Sequence, residues 1–285
     1  MTVALATAAG IPYSDQDEAS LLVALETLDV PAELSVWNDP TVDWSRYDLV
    51  VIRSTWDYTA DRDGFVAWAA EVGAITRLFN SAEVVRWNTH KGYLIELEQR
   101  GVPVVPTAWL GQGDRVDLGE LAASRRWPEV VIKPAIGAGA EGLHVVVEHL
   151  AAGQPHLDGL LAAGDVMVQP LLRRIATDGE LSVVCVDGAV SHVIRKLPAA
   201  GDVRIQIEHG GVYEPTEADA DVAALSEWIV EVTGHDLLYA RVDLVPADDG
   251  TWQLSELEAT EPSLYLDRVD GAAERLAAAI VARLT

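Results

Sequence analysis

The sequence contains one cysteine, few lysines and no long hydrophobic run, and each shortage excludes a class of protein. Its single cysteine, Cys185, permits no internal disulfide and no cysteine zinc site, which suits a reducing cytoplasm. No run approaches ~18 consecutive apolar residues, so a membrane-spanning helix is excluded. The N-terminus has no basic region before its apolar stretch, so it is predicted to be a strand instead of a signal peptide. We therefore expect a cytoplasmic protein.

Positive charge is also scarce. The 285-residue chain carries 45 acidic against 20 basic side chains, a formal net charge of −25 at pH 7. Such a surface repels phosphate backbones and anionic lipids, so neither nucleic acid nor membrane is an expected partner. The composition is 49% hydrophobic, which is enough apolar material for one large core or several small ones. These features indicate an acidic globular protein.

Only three of the basic residues are lysines, namely Lys91, Lys133 and Lys196. A coding bias toward arginine explains the scarcity of lysine but leaves open why three positions retain it. An ammonium is a compact charge with rotatable donors, whereas a guanidinium is a planar fork, so a site that needs one does not accept the other. Each lysine is therefore a candidate contact for a phosphate or a carboxylate.

The first ~80 residues alternate between strand and helix patterns. The patterns predict strands at Val3–Thr7, Glu33–Trp37 and Asp48–Arg53, with helices at Asp17–Leu28 and around Phe65–Val72. This alternation is typical of a small parallel α/β domain.

The third strand runs into a polar and aromatic segment, Arg53–Tyr58. In open α/β sheets, ligands bind at the carboxyl ends of the strands. The candidate substrate contacts in this segment are Arg53, Ser54, Thr55 and Asp57. The alternative is an ordinary loop in which Thr59 or Asp61 caps the next helix.

A glycine-rich loop joins two predicted strands in the middle of the chain. The strand Val130–Pro134 precedes Gly137-Ala-Gly139-Ala-Glu-Gly142, and the β-branched run Leu143–Val147 follows. A dinucleotide-binding loop would open a helix, and a P-loop would contain Gly-Lys-Ser/Thr, so neither fits. The pattern indicates a flap whose backbone amides can fold over a triphosphate, with Lys133 beneath it. A flexible hairpin turn is the alternative.

A predicted β-hairpin near the C-terminus concentrates charged residues. On Leu238–Val245, period-2 alternation places Tyr239, Arg241 and Asp243 on one face. On Trp252–Glu258, the residues predicted to share a face are Trp252, Leu254, Glu256 and Glu258. A turn at Asp249-Gly250 would set Asp243 opposite Glu256, with Glu258 near Arg241.

Carboxylates that share a sheet face repel each other unless a cation lies between them. Mg²⁺ takes few protein carboxylates and completes its shell with water and nucleotide phosphates. The candidate metal ligands are therefore Asp243, Glu256 and Glu258, and an exposed acidic sheet face is the alternative. Lys196 and Arg204, on either side of a turn that closes at Gly210-Gly211, would suit a transferring phosphoryl group. A salt-bridged hairpin is the alternative for that pair.

In chain order, these motifs resemble the ATP-grasp carboxylate–amine ligases over nearly the whole chain. The resemblance implies an ATP-grasp fold of the α/β (α+β) class, in which an N-terminal parallel α/β domain precedes two α+β lobes that sandwich ATP. The three domains would span 1–85, 86–170 and 171–285. ATP and Mg²⁺, with two ions expected, are the implied cofactors.

The resemblance also implies a role for each motif. Lys91 and Lys133 would hold ATP beneath a flap that contains Gly137, Gly139 and Gly142. Gln169 and Leu171 match the hinge whose backbone binds adenine, and Glu180 resembles the acidic residue near the ribose. Asp243, Glu256 and Glu258 match the magnesium ligands, and the implied catalytic cations are Lys196, Arg204 and Arg241. The family's last metal motif is usually Glu-x-Asn, and here it is Glu-Leu-Glu-Ala-Thr-Glu, so Glu258/Thr260 is an alternative to Glu256/Glu258.

Longer segments narrow the resemblance. Four of them are similar to the subgroup of ligases that form D-cycloserine, and they begin at Arg53, Arg86, Ser191 and Glu256. Glutathione synthetases and ribosomal-protein glutamate ligases are more distantly similar. The implied reaction activates a carboxylate as an acylphosphate for an amine-type nitrogen, closing O-ureido-D-serine into an antibiotic ring. The alternatives are an intermolecular amide ligase and a non-catalytic nucleotide-binding regulator. The expected partner is a small amino-acid-like substrate, and a homo-oligomer is left open.

Overall fold

The computed structural model describes residues 1–10, 16–139, 141–199, 205 and 210–284. Its N-terminal part is a parallel sheet with strand order β2-β1-β3-β4. Strands and helices here are β1 Val3–Thr7, α1 Gln16–Thr27, β2 Ala32–Val36, β3 Leu49–Ile52, α2 Arg62–Ile75 and β4 Arg77–Phe79. Strands β1 and β3 are buried along their whole length, as their continuous apolar sequences require in a parallel sheet. The predicted parallel strand–helix alternation is confirmed.

Helix α2 shows how local sequence sets these boundaries. The Asp61 side chain caps its N-terminus by accepting a hydrogen bond from the Gly64 amide at 3.0 Å. Its buried residues are Phe65, Trp68, Ala69 and Val72, at the spacing of one helix face. The segment Arg53–Tyr58 therefore lies between the carboxyl end of β3 and a capped helix.

The middle of the chain forms an antiparallel sheet with strand order β5-β8-β6-β7. Its elements, with the two helices that precede them, are α3 Ala82–Asn88, α4 Tyr93–Gln99, β5 Ala108–Leu110, α5 Leu118–Arg125, β6 Val130–Pro134, β7 His144–Val146, α6 Gln154–Ala163 and β8 Val166–Pro170. The glycine-rich loop joins β6 to β7 as predicted. Helices α5 and α6 cover one face of the sheet and close a separate apolar core.

The C-terminal part forms an antiparallel sheet with strand order β11-β10-β9-β12-β13. Its elements are α7 Ile175–Asp178, β9 Glu180–Val186, β10 Ala189–Leu197, β11 Val212–Thr216, α8 Ala220–Val232, β12 Tyr239–Pro246, β13 Trp252–Glu258 and α9 Ala272–Leu284. Asp187 and Gly188 both have positive φ, 53° and 84°, which confirms the predicted tight hairpin turn. Cys185 is buried in the core beneath this sheet.

Two apolar cores join the C-terminal sheet to the rest of the molecule. One face packs against α1 and α9, where Leu25, Val184 and Ile280 share a core. The other packs against α4 and α8, where Leu94, Val183 and Ile229 share a second core. Each sheet lies within one of the three predicted domains. Helix α4, however, belongs to the predicted domain 86–170 and packs on the sheet of the predicted domain 171–285, so the domain boundaries stay a prediction. Within the described residues, no helix has the length and apolarity to cross a membrane.

Candidate active site

A cavity of about 840 Å³ lies between the glycine-rich loop and the C-terminal sheet, and the N-terminal part closes one end. Residues from all three parts of the chain line it. Among the predicted site residues, the structure brings together here Lys91, Lys133, Gly137, Gly139, Glu180, Lys196, Arg241, Asp243, Glu256 and Glu258. Side chains that are up to 167 positions apart in the sequence thus face one space.

The β12–β13 pairing confirms the predicted register. Asp243 lies opposite Glu256, and Arg241 lies opposite Glu258. The neighbouring strand β9 places Ser182 opposite Asp243, and β10 places Lys196 opposite Glu180. One sheet face therefore presents a continuous row of ionisable groups to the cavity.

The prediction that Trp252 and Leu254 share a face with Glu256 and Glu258 is wrong. The pairing shifts between Asp243 and Leu244, because β13 contains an extra residue, Ser255, at a bulge. A bulge inverts the alternation that follows it, so Leu254 and Leu257 both pack into the core on the far face. The bulge allows the strand to bury its leucines while it turns both glutamates toward the cavity.

Lys196 is held between two carboxylates. Its Nζ lies 2.9 Å from Glu180 Oε1 and 3.7 Å from Asp243 Oδ1. Burial opposes its charge, but Asp243 and Glu180 outweigh burial and hold the pKa of the ammonium well above its usual value. The rings of Tyr213 and Tyr265 lie 5.6 and 5.7 Å from the same Nζ. Lys196 is therefore a permanently charged, immobilised cation.

Arg241 and Asp243 form a second buried pair. Arg241 donates from Nε to Asp243 Oδ1 at 2.9 Å and from Nη2 to Oδ2 at 2.8 Å, while Ser182 Oγ donates to Oδ1 at 2.5 Å. Burial would raise the pKa of Asp243, but Arg241 and Lys196 lower it to about 2. Arg241 Nη2 also donates to Glu258 Oε1 at 2.5 Å. Despite that contact, burial raises the pKa of Glu258 to about 7, and Glu256 and Asp243 add to the shift.

Lys91 and Lys133 differ in their partners. Lys91 Nζ lies 2.9 Å from Glu256 Oε1 and donates to the Gly137 carbonyl at 2.7 Å, so it links the flap to the carboxylate face. Lys133, on β6, also lines the cavity but forms no ion pair with any described residue. Burial lowers the pKa of Lys133, and Lys91 adds to the decrease although Glu256 opposes it. Lys133 is a cation that still needs an anionic partner.

Three of the predicted ATP contacts lie away from the lining. Gly142 packs near Pro134, and its carbonyl oxygen lies 2.8 Å from His156 Nε2. Gln169 Nε2 donates to Thr107 Oγ1 at 2.8 Å, and the Leu171 amide donates to the Glu129 carbonyl at 3.0 Å. Their proposed nucleotide contacts therefore stay predictions.

The predicted substrate segment contributes different residues from those expected. Arg53, Ser54 and Thr55 are fully buried, and Asp57 accepts a hydrogen bond from Trp37 Nε1 at 2.7 Å. The lining residues from this segment and the next are Trp56, Tyr58 and Thr59. After β3 ends at Ile52, the chain enters a 3₁₀ helix at Trp56–Ala60, so strand alternation no longer decides which side chains face the cavity. Arg204 lies outside the described residues.

Sequence reasoning missed four carboxylates of the lining, and two of them, Asp17 and Glu261, are buried. Asp17, on α1, accepts hydrogen bonds from the Leu264, Tyr265 and Leu266 amides, and nothing in the local sequence indicates this long-range contact. Glu261 is buried and faces the cavity. Glu261 is the third glutamate of the Glu-Leu-Glu-Ala-Thr-Glu motif, so its position in that motif could have indicated a site residue.

The carboxylate face has the chemistry of a magnesium site. No group of three or more His, Cys, Asp or Glu side chains in the described ranges is already arranged around a metal position. One cavity is nevertheless lined by Asp243, Glu256 and Glu258. Burial raises the pKa of Glu258, and Glu256 and Asp243 add to the rise, so a divalent cation bound here would offset the cost of these negative charges. Thr260 is buried against Asn88 and is absent from the lining, which favours Glu256/Glu258 over Glu258/Thr260.

Two family models match this chain. One, described as D-cycloserine synthetase DcsG, N-terminal domain, matches residues 3–80. The other, prokaryotic glutathione synthetase, ATP-grasp domain, matches residues 115–263, which is more than half of the chain. The chain belongs to the ATP-grasp family. Ligases of this family use ATP and Mg²⁺.

Similarity extends over the full length. The cycloserine biosynthesis protein DcsG of Streptomyces lavendulae is 35% identical over 95% of this chain and 94% of its own length. The crystal structure of D-cycloserine synthetase DcsG matches with a TM-score of 0.90 and 33% identity, covering 100% of both chains. The ATP-grasp ligase PsnB, complexed with minimal precursor, Mg and ADP, matches with a TM-score of 0.67 at 17% identity over 99% of this chain and 98% of its own, which shows the fold alone. The predicted ATP-grasp α/β fold is confirmed, and the chain is an ATP-dependent carbon–nitrogen ligase.

Proposed function

We propose that this ligase closes O-ureido-D-serine into the ring of D-cycloserine. Its full-length similarity to DcsG supports the substrate, and one structural observation supports the chemistry. A single cavity is lined by the three lysines of the chain and by the carboxylate row of the C-terminal sheet, which consists of Glu180, Asp243, Glu256 and Glu258. We further propose a cytoplasmic location, because the reaction consumes ATP and the buried Cys185 thiol is free.

The cavity has two walls, one formed by the glycine-rich loop with β6 and the other by the C-terminal sheet, and ATP would contact both. Lys91 and Lys133 hold its phosphates beneath the glycine flap, in which Gly137 and Gly139 line the same space and could donate backbone amides. The proposed contacts for adenine are Gln169 and Leu171, and Glu180 is the proposed contact for the ribose, while Gly142 belongs to the flap. Two Mg²⁺ ions would be held by Asp243, Glu256 and Glu258, where they neutralise the phosphate charge.

The substrate carboxylate attacks the γ-phosphorus in line, which releases ADP and forms an acylphosphate. Lys196 and Arg241 are already immobilised beside the carboxylate row, so they offset the developing charge without reorganising. Arg204 is the third proposed cation.

The substrate nitrogen bonded to oxygen then attacks the acyl carbon, loses its proton and expels phosphate, which closes the ring. Because the nitrogen belongs to the same molecule, orientation supplies much of the rate. The ring nitrogen still carries the carbamoyl group, and water removes that group as ammonia and carbon dioxide. Trp56, Tyr58 and Thr59 lie at the end of the cavity where the substrate is expected, while Arg53 supports them by donating to the Pro262 carbonyl at 2.9 Å.

The test is ADP release from ATP and Mg²⁺ with O-ureido-D-serine, with the product identified by mass spectrometry. A cyclised product supports the proposal. ADP release only with other carboxylates, giving a linear amide that depends on an added amine, would retain the ligase chemistry and overturn ring closure. Asp243→Asn is expected to lower kcat by ~10²-fold or more. Asp221→Asn makes the same change on the exposed face of α8 and is the matched control.

A further inference from the structure

The loop that follows β13 is fixed by side chains from distant parts of the chain. Tyr239 Oη donates to the Thr260 carbonyl at 2.8 Å, and Trp56 Nε1 donates to the Glu261 carbonyl at 2.9 Å. Arg53 and Arg241 bind the next two carbonyls, and Asp17 binds the three amides after them. Each residue from 260 to 266 therefore has a main-chain group bound to a side chain. A loop whose main chain is held by so many side-chain hydrogen bonds presents its own side chains in a fixed geometry.

Glu261 differs from the other buried carboxylates of the cavity. Glu180 is paired with Lys196, and Asp243 is paired with Arg241. Glu261 lines the same cavity with 8% of its surface exposed, and it forms no ion pair with any cation that the structure describes. Tyr58, which carries a hydroxyl group, lines the same cavity.

A buried carboxylate without a cation is unfavourable. Burial, followed by repulsion from Glu258, raises the pKa of Glu261 to about 8. A ligand that brings a positive charge would remove this cost, whereas a neutral ligand would leave it in place. The arrangement is therefore complementary to a cationic group.

The proposed reaction places such a group nearby. The substrate carboxylate must lie beside Lys196, Arg241 and the carboxylate row, and Glu261 follows Glu258 by three residues. In an α-amino acid, the ammonium is bonded to the carbon next to the carboxylate, so it lies within a few ångströms of the reacting oxygen. We propose that Glu261 binds the α-ammonium group of the substrate and restricts the enzyme to carboxylates that carry this group. This inference rests on the proposed function.

The test compares O-ureido-D-serine with its analogue that lacks the α-amino group. We expect the wild-type enzyme to favour the amino acid strongly in kcat/KM. In Glu261→Gln, KM for O-ureido-D-serine should rise by about 10- to 100-fold, the range for losing one charge-assisted hydrogen bond, while kcat changes little. The preference for the amino acid over the analogue should fall by a similar factor. Calorimetry with a non-hydrolysable ATP analogue should show the same loss in substrate affinity.

Two further variants separate this role from a general loss of structure. Tyr58→Phe removes a hydroxyl from the same cavity lining but leaves the Glu261 carboxylate in place, so it should reduce the preference by a smaller factor than Glu261→Gln. Glu83→Gln makes the matching change at an exposed position on α3 and should alter neither KM nor the preference.

Three results would overturn the inference. They are a wild-type enzyme that accepts the analogue equally well, an active Glu261→Gln variant with unchanged preference, and a loss of kcat at unchanged KM. The last result would indicate proton transfer instead of binding. No ADP release by the wild-type enzyme with O-ureido-D-serine would overturn the proposed function itself, so the two failures are distinguishable.

Discussion

The two walls of the cavity carry similar charged groups but organise them differently. On the C-terminal sheet, the buried cations Lys196 and Arg241 each have carboxylate partners within 3 Å. On the glycine-loop wall, Lys133 has no ion-pair partner among the residues that the structure describes. The cations of the sheet wall are thus neutralised by the chain itself, as is Lys91 by Glu256, whereas Lys133 on the loop wall depends on a ligand to supply negative charge. Substitution of a paired cation on the sheet wall should therefore lower both activity and stability, whereas substitution of Lys133 on the loop wall should lower activity alone.

Lys196→Met should have the largest effect, because it removes the partner of two buried carboxylates. Loss of one member of a buried ion pair costs about 3–5 kcal/mol of folding stability. We also expect kcat for ADP release to fall by ~10²-fold or more. Urea unfolding and an ADP-release assay measure the two effects. Arg195→Met, on the exposed face of the same strand, should change stability by less than about 0.5 kcal/mol. Undiminished stability in Lys196→Met would show that the folding of the sheet wall does not depend on the ion pairs of Lys196.

Lys133→Met should lower ADP release by ~10²-fold without lowering stability. Burial and Lys91 lower the pKa of this ammonium, so its charge is unfavourable in the folded protein. Methionine has a similar length and no charge, and the midpoint of urea unfolding should stay the same or rise. A stability loss as large as that of Lys196→Met would show that the two walls do not differ.

Glu261 should make stability depend on pH, since it is a buried carboxylate near the sheet wall that forms no ion pair with a described cation. Its pKa is raised from 4.5 to about 8 in the folded protein. The folded state therefore binds more protons between these values, and stability falls as the pH rises through that window. Glu261→Gln cannot titrate, so its stability should fall less between pH 5 and 8, by roughly 1–4 kcal/mol. Unfolding is measured without nucleotide and with a chelator, and parallel curves for the two proteins would contradict this prediction.

Gly139→Ala should have the smallest effect. Gly139 has a φ of +60°, and a methyl group there would meet no atom within 4 Å, so the change costs only backbone strain of about 1–2 kcal/mol. KM for ATP should rise by less than about 10-fold, with little change in global unfolding. Gly113→Ala has the same backbone requirement and open space away from this cavity, and it should leave KM for ATP unchanged. A larger rise in KM for ATP in Gly139→Ala would mean that ATP binding requires a rigid loop wall.

Local patterns were sufficient for much of the site. Period-2 alternation and a tight turn placed Asp243 opposite Glu256, and the structure has the same pairing. The retained lysines were also informative, since all three line the cavity. The bulge at Ser255 was missed because alternation was extended through it, although two leucines three residues apart in a strand signal such an interruption.

The order of strands, helices and turns follows from local sequence alone, because these elements depend on neighbouring residues and on the period of apolar side chains. Only the tertiary structure decided that Arg53 supports the cavity from behind and that Asp17 fixes a loop 249 residues away. Such contacts depend on how three sheets pack against one another, and packing energies are sums over many distant residues. Glu261 depends on both, since its motif is local in the sequence but its lack of an ion pair with any described cation is a property of the folded molecule.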